Sequence, residues 1–246
     1  LANLFGGVSA RPDSSLSVPV RPDQSCPARF GSRSPRARPR NRYSQEFRMQ
    51  LGRMAQSALR PMIVGTDIAA FRQHCGGSLG GLFHCMRYPG PRLLWDGGTQ
   101  EFVDEAGAAV AGLDALAGDL ALLRDAVGAA LAGSASASVP VSMDGTLLRG
   151  QDGSAHYRIY DLIHPDIPVW RQVNLLADLF CQLEQRVPHV RPVPHEHTPA
   201  MKTDTRVARW LATWKRPGCG GVLLKRPELV YAPGQETPDA CSVVMR

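Results

Sequence analysis

Two arginines bracket a tight turn in Arg87-Tyr88-Pro89-Gly90-Pro91-Arg92, and farther along stand Asp144-Gly145, Tyr160-Asp161 and the lysine Lys225. Cationic and carboxylate side chains set among strands are the material of phosphate chemistry. An amine that can lose its proton attacks phosphorus, a guanidinium grips phosphate oxygens with its fork, and carboxylates hold a divalent ion. Arginine stays protonated, so Arg87 and Arg92 can hold a phosphate or an acidic partner but cannot act as nucleophiles. Two readings stand open for them: phosphate ligands at a cleft, or surface charges on an ordinary hairpin. Lys225 is a strand-end lysine beside Arg226, solvated or facing phosphate, with a catalytic role as the alternative. His195 and His197 lie two apart, with Glu196 between them and His189 upstream. On a strand they would share a face, but no third ligand has a familiar metal spacing, so this stretch is expected to be a polar loop and no metal is expected. Alternation sets Cys85 on the opposite face from His84 and marks it as a buried strand thiol.

The elements that must position these groups follow from periodicity. Helices are expected over "SQEFRMQLGRMAQSAL", with Ser44 as N-cap, over "DIAAFRQHC", capped by Thr66 or Asp67, and over "GLDALAGDLALLRDAVGAALAG". Further helices are expected over "WRQVNLLADLFCQLEQRV" and "TDTRVARWLATWK". In the last, Trp210 and Trp214 form a core stripe, with a base-stacking platform as the alternative. Strands are expected over "GLFHCMRY", "RLLWD", "QEFVDE", "VSMDGTLLRG", "AHYRIYDLI", "HVRPV" and "GGVLLKRP", separated by Pro/Gly and Gly-Gly turns.

The chain has 246 residues, 43% of them hydrophobic, enough for a sizeable core, and a formal charge of +6 that favours an anionic partner. The positive charge is nearly all arginine, which suits phosphate recognition and also fits a genome-composition bias. The six cysteines include no C-x-x-C pair and are expected to be free thiols in a reducing compartment. No apolar run is long enough to span a membrane; the nearest, from Ala106 to Ala132, is broken by Asp114, Asp119, Arg124 and Asp125. Residues 1–43 are rich in Ser, Pro and Arg, and an extended or disordered basic tail is expected there, with Arg33, Arg36, Arg38 and Arg40 as RNA contacts. Such a tail also fits a mitochondrial presequence or its remnant, and a chain beginning at Leu1 is expected to be processed or trimmed. Residues 44–60 are expected to be an amphipathic helix and linker, and 61–246 one domain.

Taken in order, these motifs resemble the nucleotidyltransferase domain of RNA capping enzymes and ATP-dependent nucleic-acid ligases, the capping guanylyltransferases more closely. That family's first motif, K-x-D-G-x-R, has its counterpart in Arg87 to Arg92. "SMDGTLLRGQDGSAHYRIYDLIH" is similar to the family's D-G-E and tyrosine-aspartate segments, and Gly220-Gly221-Val222 followed by "VYAPGQETPD" to its acidic-glycine and Tyr-x-Pro-Gly segments. Val243-Val244-Met245-Arg246 stands where the family pairs two lysines. The resemblance implies an α/β (α+β) fold with mainly antiparallel sheets and flanking helices. It also implies a cleft formed by Arg87, Arg92, Asp144, Asp161, Lys225 and Arg246.

Departures from the pattern fall on the charged positions. Arginine replaces the covalent lysine, proline the aspartate, Thr146 the glutamate of D-G-E, and Gly220 the later acidic residue. The expectation is therefore a pseudoenzyme with no catalytic residue and no cofactor, lacking the second domain with which such enzymes close over a nucleotide. Its expected role is a structural or RNA-binding component of a ribonucleoprotein, above all a mitochondrial ribosome subunit or assembly factor. Expected partners are RNA and other proteins, with a nucleotide in the cleft as a further partner and no membrane. The alternatives are a divergent guanylyltransferase or ligase, or a cap- or nucleotide-binding adaptor, in the nucleus or cytoplasm if not in mitochondria.

Overall fold

The computed structural model describes residues 59–134, 136–198 and 219–244, together with 205, 209, 211 and 212. The expected tail with Arg33, Arg36, Arg38 and Arg40, the helix over 44–58, Trp210, Trp214 and Arg246 lie outside the described residues.

Among the described residues, two sheets and three helices with described bounds build the fold. The helices are α1 (Ile68–His74), α2 (Asp114–Ala130) and α3 (Val169–Leu183). One sheet has the order β1-β11-β10-β2-β9, from strands Ile63–Gly65, Glu236–Val244, Gly221–Lys225, Phe83–Arg87 and His195–His197. The other has the order β5-β4-β3-β6-β7-β8, from Ala109–Val110, Phe102–Val103, Arg92–Trp95, Ser142–Arg149, Ala155–Ile163 and Val190–Pro192. Parallel pairing occurs between β1 and β11 and between β7 and β8; the other ladders are antiparallel. This is the expected α+β architecture with mainly antiparallel sheets.

Burial follows the helical period in α2 and α3, whereas the central strands are buried on both faces. In α2 the buried residues Leu116, Leu120, Leu123 and Val127 recur at helical spacing, and in α3 Leu176, Phe180 and Leu183 do the same. Both stripes pack with Trp95, Met143, Tyr157 and Ile159 of the six-stranded sheet in one large core. On α1, capped by the Asp67 carboxylate accepting from Ala69 and Ala70 N–H, Phe71 packs against Val222, Leu224 and Cys241 on the outer face of the five-stranded sheet. Between the sheets lie Phe83, Leu94, Ile163, Tyr231 and Ala240. The order of layers is α2 and α3, six-stranded sheet, five-stranded sheet, α1.

Several expectations need correction. The turn from Tyr88 to Pro91 does not close a hairpin, because β2 pairs with β10 and β9 while β3 pairs with β4 and β6. The chain crosses there from one sheet to the other. The stretch His195–His197, expected as a loop, is edge strand β9. No group of histidine, cysteine and carboxylate side chains able to hold a metal occurs among the described residues. Strands β1, β5 and β11 were not expected. The described helices include none long and apolar enough to cross a membrane.

Candidate functional site

The crossover from β2 to β3 gives the site its shape, since Arg87 ends one sheet and Arg92 begins the other. Gly90, at φ 144°, lets the turn pack on β6: a Cβ there would stand 2.5 Å from the Leu147 carbonyl oxygen. The Leu147 N–H in turn donates to the Pro91 carbonyl at 3.0 Å. On β6 and β7 the ladder pairs Asp144 with Asp161 and then Gly145 with Ile159, leaving Tyr160 as the extra residue of a bulge. The bulge places both the Tyr160 ring and the Asp161 carboxylate in the space between the sheets, where strict alternation would have separated them. Gly145 is required for another reason, since a Cβ there would lie 2.6 Å from the Tyr157 ring.

Three polar clusters fill this space. In the first, Asp144, fully buried, accepts from Arg92 Nη2 at 2.5 Å and Nε at 3.0 Å, and from the Tyr231 hydroxyl at 2.6 Å. The Tyr231 oxygen accepts the Met62 N–H at 2.8 Å. Burial first, and then the Asp144 charge, hold the Tyr231 hydroxyl well above its ordinary range, so it stays a donor.

The second cluster surrounds Lys225, also fully buried. Its ammonium donates to Asp161 Oδ1 at 2.7 Å, to the Tyr160 carbonyl at 3.0 Å and to His195 Nε2 at 3.4 Å. His195 Nδ1–H donates to the Val193 carbonyl at 2.9 Å, which leaves Nε2 free to accept. Burial, and after it the Lys225 charge, push His195 down to about 3, so its imidazole is neutral at ordinary pH. Burial pushes the Asp161 carboxyl up, and the Lys225 ammonium opposes that shift.

In the third cluster the Tyr160 hydroxyl accepts the Tyr88 N–H at 2.6 Å and lies 3.3 Å from the Thr146 hydroxyl that donates to it. Arg87 Nη1 donates to Ser242 Oγ at 3.0 Å. Cys85 packs beneath the turn with Tyr160, Val193 and Tyr88, its thiol pushed by burial to about 12 and therefore inert. Gly220, where the resembled family has an acid, donates its N–H to the Arg87 carbonyl at 2.7 Å.

Among these clusters lies a cavity of about 40 Å³ lined by Met62, Val64, Arg87, Arg92, Tyr160, Asp161, Leu223 and Ser242. At about 10–15 Å³ per water it holds around three waters. Of the residues expected from sequence, Arg87, Arg92, Asp144, Asp161 and Lys225 come together between the sheets. Ser242 and Tyr231 were not singled out as site residues, while Tyr160 was noted only within its motif and His195 only as a metal ligand weighed and set aside. Tyr231 carried a signal in its Tyr-x-Pro-Gly motif, but nothing local says that it reaches Asp144, 87 positions away.

No family model matches the chain, and no curated protein matches it. Solved structures do. A Lig E DNA ligase described as binding DNA with a minimal scaffold superposes with a TM-score of 0.51 at 13% identity, over 76% of this chain and 68% of that one. The ATP-dependent DNA ligase of bacteriophage T7, in complex with ATP, gives 0.52 at 12% identity over 75% and 68%. The structure named Pmar-Lig_PreS3 gives 0.57 at 12% identity, over 81% of this chain and 50% of that one. The chain thus spans between half and about two thirds of these proteins. The closer resemblance to capping guanylyltransferases rests on sequence motifs alone. At such identities the likeness is one of fold: the chain has the nucleotidyltransferase-type core found in ATP-dependent DNA ligases.

Proposed function

We propose that the chain is a divergent ligase-fold protein that binds nucleic acid without forming a covalent nucleotide adduct. The observation that carries this reading is Arg87, which stands where the resembled family has its nucleophilic lysine and is bonded to Ser242. A guanidinium offers no lone pair for attack on phosphorus at ordinary pH. The remaining polar groups of the cleft are bonded to one another. Arginines excel at noncovalent phosphate contacts, which suits them to a nucleic-acid partner.

A second reading, a divergent ligase, is favoured by the fold and by Lys225, the lysine among the described residues, whose amine faces the same space between the sheets. Incubation with labelled ATP or GTP and a divalent metal separates the two. No label should survive denaturation; a stable label lost in Lys225→Ala would establish the second reading. A setting in a ribonucleoprotein, mitochondrial by the composition of residues 1–43, is proposed on the arginine-rich extension. Fractionation of cells and nuclease-sensitive co-sedimentation with RNA test it.

A further inference from the structure

Among the described residues, Arg158 has no counter-charge within ion-pair distance. It sits on β7 with Thr146 as its register partner on one side and Arg191 of β8 on the other. Its Nε is buried with no hydrogen-bond partner, and it forms no ion pair among the described residues. The group rests 5.6 Å from the centre of the Tyr88 ring, whose backbone is pinned by the bond from Tyr88 N–H to the Tyr160 hydroxyl. Beside it, Arg191 is held at the sheet edge by donating Nη1 to the Val187 and Val190 carbonyls at 2.9 and 2.8 Å. Its one carboxylate neighbour, Glu184, is exposed and 3.5 Å away. Arg158 and Arg191 are register partners on neighbouring strands, whose backbones run about 5 Å apart, so the edge of this sheet carries two arginines at one level, one of them over the Tyr88 ring. Buried N–H groups rarely lack an acceptor, and those that do call for an explanation, a bound ion among them.

Resting on the nucleic-acid reading above, we infer that Tyr88, Arg158 and Arg191 form a surface that takes the phosphodiester backbone of a single-stranded nucleic acid. Arg158, half-buried, donates through the rest of its guanidinium to a phosphate oxygen, and Arg191 meets the next charge along the strand. A single strand suits the site because the guanidinium and ring planes tolerate any base stacked on them. The excess of arginine in the whole chain, with a formal charge of +6, acts in the same direction.

The test is a salt titration of binding between the full chain and a fluorescent single-stranded oligonucleotide. Losing one phosphate contact should make the log–log salt slope shallower by about 0.7 and weaken binding about fivefold near 0.1 M salt in Arg158→Gln. Arg191→Gln should do the same, which covers the case that one variant does not fold. Arg226→Gln, which removes an equal charge from the Asp239 ion pair on the other sheet, should leave the slope near that of the wild type. Wild-type slope and affinity in folded Arg158→Gln and Arg191→Gln would overturn the surface while leaving the nucleic-acid reading intact. Failure of the wild-type chain to bind any oligonucleotide would overturn that reading itself. Binding of polyglutamate or inorganic phosphate in place of the oligonucleotide would overturn the assignment of the ligand.

Discussion

Replacing Lys225 by Met removes the counter-charge of Asp161 in the interior. Lys225 is wholly buried and Asp161 is 3% exposed, so water cannot take over the ammonium's role. Breaking a buried pair by removing one partner costs about 3–5 kcal/mol, because the remaining charge is left uncompensated. The variant also deprives the Tyr160 carbonyl and His195 Nε2 of a donor, which places it in the upper part of that range. Domains are stable by about 5–15 kcal/mol, so the loss is a large share of the total. At about 2–4 °C per kcal/mol for a domain of this size, the melting temperature should fall by roughly 10–15 °C. The pH dependence has a definite sign. Burial raises the Asp161 carboxyl already, and without Lys225 it rises further. A carboxyl raised in the folded state favours folding at low pH and penalises it above the unfolded value, so the damage should be greatest near pH 8 and shrink on acidification. Asp161→Leu combined with Lys225→Met should recover much of the loss. Calorimetry across pH checks this. A single variant losing under about 1 kcal/mol, or a double variant as unstable as the single, would refute the buried-pair argument.

Tyr231→Phe removes the hydroxyl that joins Met62 N–H to Asp144; leaving these buried groups short of a bond should cost about 1–3 kcal/mol in denaturant unfolding. Gly145→Ala should destabilise by about 1–3 kcal/mol or prevent folding, since its Cβ would meet the Arg158 carbonyl at 2.4 Å, whereas Gly118→Ala on α2, with nothing near, should stabilise by up to about 1 kcal/mol. His195, with its folded value near 3, should show a neutral imidazole by NMR from pH 8 down to pH 5. Because that value lies below the unfolded one of about 6.5, its contribution to stability is present above pH 6.5 and declines as pH falls towards 3.

The helices were legible because each carries an apolar stripe; Asp67 also caps α1, whereas α2 and α3 begin at Leu113 and Pro168 without a side-chain cap. The strands that position Arg87, Arg92, Asp144 and Asp161 were legible as short apolar runs bounded by Pro/Gly turns, and they are largely buried on both faces. Strand β11 was not, because "ETPDACSVV" mixes proline and polar residues, and its strand state comes from pairing with β10 and β1. Strand β9 reads as polar, and only its register with β2 makes it a strand. The hairpin reading of the turn failed for a similar reason. Two apolar runs around Pro89-Gly90-Pro91 look alike whether the chain folds back or crosses to another sheet. Of the site, the charged residues were legible by type, but their pairing was not. The bonds from Tyr231 to Asp144 and from Lys225 to Asp161 join positions far apart in the chain, and burial decides that they are satisfied internally.

The most direct test of the central claim is the intact mass of the full chain after incubation with ATP or GTP and magnesium or manganese. An unchanged mass is expected under every combination if the proposed reading holds, in which Arg87 stands at the position the motif resemblance gives to the nucleophile, while Lys225 is enclosed by Asp161, Tyr160 and His195. A species heavier by one nucleoside monophosphate, stable to denaturation, would contradict it.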